Sequence, residues 1–243
     1  MEELIEFLNV QHGNLEANLK SREVQDLFSP VHNAYEIAIK ALPPETDLAV
    51  RKLLLLCQRS SMVAVGLIAT GNPDDSVPVT RRTIEMARLA FALKHDPKNM
   101  AAWLAEEKRR ERWEARNKGA RPPRLNVKFQ LPSPHPLLDP LGQWEGILSD
   151  AASHCTPEYL AGYEWEQWGE SLFLSYIVKD LDHILRTLRF ATVVHLKILE
   201  LFNETTKGVL GTNKDWCAAM EGIRAAGRAF PPPEHPETAD SQG

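Results

Sequence analysis

The sequence predicts an all-α fold, a multi-helix bundle of about eight to nine helices interrupted by one proline-rich excursion. Apolar residues recur at three- and four-residue spacing along nearly the whole chain, the period of a helix face. Period-two alternation bounded by turn signals is nearly absent, and "LNVKFQL" is the only strand-like run. A 43% hydrophobic share over 243 residues is enough for a sizeable core. A single helical domain is therefore expected over residues 1–230. The tail 231–243, "PPPEHPETADSQG", reads as disordered by composition.

A first helix is expected over residues 2–28, weakened at Gly13, and a second from Pro30, acceptable in a first turn, to Leu42, where Pro43 and Pro44 end it. The third starts near Asp47 and runs through "LAVRKLLLLCQRSSMVAVGLIAT" until Gly71 and Pro73. It is apolar on nearly all sides, which predicts a central position. "NPDDSVP" reads as a loop, the fourth helix as residues 79–95 closed by Asp96-Pro97, and the fifth as 98–117. Residues 119–142 form the proline-rich excursion, expected to pack on the body through Leu125, Val127, Phe129, Leu131, Leu137 and Leu138. A short helix follows over 143–154, another from Thr156, a long one over 170–203, and a last one in "NKDWCAAMEGIRAAGRAF".

Composition narrows the function classes. A net charge of -5 argues against a wholly basic nucleic-acid-binding domain. Cys57, Cys155 and Cys217 are odd in number and lie outside any CxxC spacing, which implies reduced thiols and neither a disulfide framework nor a structural zinc. The N-terminus opens on acidic residues, and no run of eighteen uncharged apolar residues occurs, so the expectation is a cytoplasmic protein without a membrane partner.

Several stretches could carry chemistry. On the 143–154 helix, which ends in "LSDAASHCTPEYL", a wheel places Trp144, Ile147, Leu148, Ala151, Ala152 and Cys155 on one apolar stripe, with His154 at its margin and Asp150 one turn earlier. A histidine beside a carboxylate at a helix C-terminus is favoured as imidazolium, either as a helix-ending pair or as part of a site. In "VTRRTIEMARLAFALKH", Arg81, Glu85, Arg88 and His95 share an arc of about 80°, while Arg82 falls beside Leu89 and Leu93. Its guanidinium is therefore expected in an interface, satisfied by the 143–154 helix. Such a ladder is a salt-bridge set or an anion clamp. "DLDHILR" offers only one Asp-x-x-His pair, and with no Glu-x-x-His in the chain neither a metal nor another cofactor is expected. Residues 106–128 hold nine Lys or Arg against four Glu, a solvated face or an RNA contact.

"RRTIEMARLAFALKHDPKNMAAWL", followed after the proline-rich gap by "LSDAASHCTPEYL", resembles a family of all-helical bacterial proteins of unknown function over about residues 47–200. The matching features are Arg82-x-x-Glu85 and Ser149-x4-His154, and the resemblance implies that the two helices face each other. "RFATVVH" resembles the Arg-x(4 to 6)-His motif of HEPN ribonucleases. That resemblance implies a metal-independent RNA-cleaving pair, Arg189 and His195, at a homodimer interface in a toxin or defence system. On a straight helix the two residues diverge by about 120° and 9 Å, which instead suits a core histidine. The leading expectation is a non-catalytic binding or regulatory module. Its polar cleft is expected to comprise Arg82, Glu85, Ser149, Asp150 and His154, for a protein partner or small polar ligand.

Overall fold

A computed structural model describes residues 2–117, 129, 131–153, 165–168, 171–174 and 180–229. It is an all-α bundle. Its helices are α1 (Glu2–Lys20), α2 (Arg22–Ala41), α3 (Leu48–Ala69), α4 (Pro73–His95), α5 (Pro97–Arg116), α6 (Leu138–Ser153), α7 (Leu181–Thr205) and α8 (Lys214–Ala229). A 3-10 turn, Leu210–Thr212, precedes α8. A two-stranded antiparallel hairpin, β1 (Trp165–Trp168) and β2 (Ser171–Leu174), pairs Trp168 with Ser171. The second half of the expected 170–203 helix therefore forms, but its start does not. The aromatic-rich "WEQWGESLFL" has strand propensity and a glycine between its halves, and Asp180 then caps α7 by accepting from the Asp182 amide at 3.0 Å. The expected helix at Thr156 and the tail lie outside the described residues.

Local chemistry explains several helix ends. Asp47 accepts from the Ala49 amide at 2.7 Å and Asp96 from the Lys98 amide at 2.8 Å, two side-chain N-caps. At the end of α3, Gly71 adopts φ 90°, and the Asn72 and Gly71 amides donate back to the carbonyls of Leu67 and Ile68. This is a Schellman ending, which needs a left-handed residue.

Other boundaries move. The first break falls at Ser21, whose hydroxyl accepts from the Val24 amide, and α2 runs straight through Pro30. An interior proline costs about 3 kcal/mol, yet Val24, Leu27, Val31, Ala34, Tyr35 and Ala38 are buried along one continuous face that spans it. Gly222 of α8 sits against that proline, with room for a Cβ only 3.5 Å from the Pro30 Cβ. "NPDDSVP" is likewise helix, because Pro73 occupies the first turn and Asp74 and Asp75 meet its positive dipole end. The 143–154 helix begins earlier, at Leu138. His135 Nδ1 accepts from the Leu137 and Leu138 amides, both at 3.2 Å, and Pro140 falls in the first turn, where no amide is needed.

The centre of the bundle is α7, which touches α2, α3, α4, α6 and α8. It buries Ile184, Leu188, Val194, Ile198, Leu201 and Phe202. The expectation that α3 is central is corrected. It packs most closely on α4, but Leu55, Leu56, Met62 and Val63 remain exposed on its outer face. The α6 wheel is also rotated from its expected setting. Leu138, Leu141 and Leu148 are buried, whereas Ile147 is 63% exposed. Of the excursion's anchors, Leu138 is buried and Leu131 and Leu137 pack on the core, while Leu125 and Val127 lie outside the described residues.

Candidate functional site

A cleft of about 540 Å³ opens between α4, α5 and α6, closed at one side by Phe129 and Leu131. Successive turns of α4 supply Glu85, Arg88, Leu89 and Ala92, α5 supplies Trp103, and α6 supplies Glu145. Phe129 and Leu131 complete an apolar wall opposite the charges. Arg88 and Glu145 form an ion pair between α4 and α6, with side chains 28% and 25% exposed. Gly142 lies beside the pair, and a Cβ there would meet the Arg88 guanidinium at an ordinary contact distance of 3.6 Å. Arg81 and Glu85 pair along α4 at 2.8 Å. The Nε of Arg88 is buried and has no hydrogen-bond partner among the described residues.

This site overlaps the expected one only in part. Glu85 lines the cleft, and the polar stripe Arg81, Glu85 and Arg88 was legible in the sequence. Arg82, expected in the interface, is exposed, and Arg88 makes the contact to α6 instead. The neighbours that cover Leu93, near the turn into α5, do not extend to Arg82, eleven residues and about 16 Å toward the start of α4. Ser149 is half-buried and Asp150 exposed, and neither lines the cleft. His154 lies outside the described residues. Glu145 and Trp103 went unnoticed. The four-residue spacing of Leu141, Glu145 and Ser149 could have drawn attention to Glu145, but only the true rotation of α6 turns it toward α4.

A second polar cluster lies inside the core. His195 is 2% exposed, and its Nδ1 is 2.9 Å from the Tyr35 hydroxyl, with the rings edge to face at 5.7 Å. Burial lowers the His195 pKa to about 4 and holds the ring neutral. The same burial pushes the Tyr35 and Cys57 acids well up, so the cluster carries no charge at neutral pH. Cys57 donates to the Thr83 carbonyl at 3.7 Å. Arg189 stands nearly two turns earlier on α7 and is half-buried. Within one chain the histidine is thus a core group, and the geometry does not place it with Arg189 in an accessible groove.

The remaining candidates have structural partners. Asp180 caps α7 and lies 3.8 Å from Arg186. Among the described residues no group of three or more His, Cys, Asp or Glu side chains could hold a metal ion. In the basic stretch, Arg109 forks onto Glu106 and most residues to 117 are exposed, while 118–128 lie outside the described residues. His135, missed at first, donates from Nε2 to Glu204 at 3.0 Å and so ties α6 to α7.

The fold thus defines an all-helical bundle with a partly apolar cleft between α4, α5 and α6. No protein-family model matches the chain, and neither a curated protein nor a solved structure does.

Proposed function

We propose that the chain is a non-catalytic binding module whose ligand sits in the α4–α5–α6 cleft. The ligand carries an apolar, preferably aromatic, group against Trp103, Phe129 and Leu131, and a neutral polar group that meets the part-exposed Arg88–Glu145 ion pair. A segment of a partner protein has both features. An apolar wall of Trp103, Phe129 and Leu131 in one cleft with the part-exposed Arg88–Glu145 ion pair supports this reading most directly, because an apolar lining with a few polar groups is what a ligand site offers. A neutral group suits the cleft better than a carboxylate, since the described lining holds two glutamates, Glu85 and Glu145, against one arginine, Arg88. Binding rather than catalysis is favoured because the described lining residues include no histidine, cysteine or hydroxyl, and both carboxylates are held in ion pairs, Glu85 with Arg81 and Glu145 with Arg88.

The test uses N-acetyl-tryptophan amide and its anionic counterpart N-acetyl-tryptophan, with binding read by ligand-observed NMR. The amide should bind measurably more tightly than the anion. Trp103→Ala should abolish binding, and Arg88→Lys, which keeps the charge but removes the planar guanidinium that pairs with Glu145, should weaken it. Equal binding to the folded variants, or a preference for the anion, refutes the assignment.

A further inference from the structure

Among the described residues α3 and α1 each leave an apolar face uncovered, and the charges of the two are opposite. On α3, Lys52, Leu55, Leu56, Arg59, Met62 and Val63 are all exposed. Positions 52, 55, 59 and 62 follow the three-and-four spacing of a helix-docking seam. Neither Lys52 nor Arg59 has an ion pair among the described residues. On α1, Ile5, Phe7 and Leu8 are 53%, 37% and 52% exposed, and residues 2–8 include three glutamates and no cation. Glu6 has no ion pair among the described residues either.

The α1 segment is not seated on its own α3. The Asn14 and Asn18 side-chain amides donate to the Thr70 and Ala69 carbonyls, which anchors the second half of α1 at the far end of α3. Residues 5–9 are exposed throughout. The two faces match in length as well as in charge, since residues 2–13 and residues 52–63 each span about 17 Å of helix.

We propose that two copies of the chain associate by laying the first half of α1 from each copy along the exposed α3 face of the other. The acidic apolar helix then covers the basic apolar seam, and a two-fold arrangement satisfies both pairs at once. A bilayer is a poorer occupant. Although α3 is long and apolar enough to cross one, its opposite face is buried in the bundle, two cations stand in the exposed stripe, and the acidic α1 would be repelled by anionic lipid.

The association is tested by light scattering after size exclusion over about a hundred-fold range of concentration, with circular dichroism confirming the fold of each variant. The native chain should approach twice 27.4 kDa. Lys52→Glu with Arg59→Glu should weaken association at least about tenfold, and Glu3→Lys with Glu6→Lys should do the same. The four substitutions together should restore it to within about threefold of the native value. A monomer at every concentration overturns the proposal, as does a dimer indifferent to both charge reversals or a combined variant weaker than either. So does a monomer that binds phosphatidylglycerol vesicles, which would assign the face to lipid.

Discussion

Lowering the pH from 7 to 5 should destabilise this protein through His195, and the size of the effect follows from its burial. In the unfolded chain a histidine titrates near 6.5, while in the folded core the value falls to about 4. The unfolded state therefore binds the proton first as pH falls. The stability this histidine contributes as a neutral ring is fully present above 6.5 and is lost progressively toward 4. The loss reaches about 2 kcal/mol at pH 5 and about 3 at pH 4, with little further change below. Tyr35 and Cys57 cannot offset it, because both are neutral and neither supplies a counter-charge. The comparison is with His195→Asn, which keeps a short polar group near the Tyr35 hydroxyl and does not titrate. Denaturant unfolding of both proteins at pH 7, 6 and 5 reads the difference in slope, so any constant cost of the substitution cancels. The native protein should lose about 2 kcal/mol more than the variant between pH 7 and 5. Parallel pH profiles would mean that water or a carboxylate reaches the ring, and that the buried neutral histidine is a wrong description.

Two further comparisons separate neighbouring residues. Arg82→Ala should lie within about 0.5 kcal/mol of the native stability, since the side chain is exposed, whereas Arg88→Ala should cost about 2 by stranding the half-buried Glu145; equal costs in thermal unfolding would contradict the placement of the interhelical pair. Gly71→Ala should destabilise by about 1 kcal/mol because a side chain is strained at φ 90°, while Gly66→Ala, inside α3 with no atom within 4 Å of the added Cβ, should stabilise by about 0.5–1. Loss of stability at both positions in chemical denaturation would refute the Schellman ending.

The features legible in the sequence were those set by local chemistry. Asp47, Asp96 and Gly71 mark helix ends wherever the chain is placed, because a cap or a left-handed residue acts on amides and carbonyls only a few positions away. Helical spacing set the all-α class, and it placed Arg81, Glu85 and Arg88 on one stripe. What the stripe faces was decided elsewhere. Pro30 and Pro78 read as boundaries, yet both lie inside helices, since apolar faces packed on α7, α8 and α3 outweigh a missing hydrogen bond. Arg82 and Arg88 look alike on a wheel, and only the reach of α6 along α4 decides which one finds a carboxylate. The α6 stripe failed for the same reason, because Ile147 and Leu148 are equally apolar and rotation of the helix, set by Leu138 and Leu141 in the core, exposes the first and buries the second. Periodicity specifies a face, but which neighbour covers that face, and over what length, is a property of the assembled bundle.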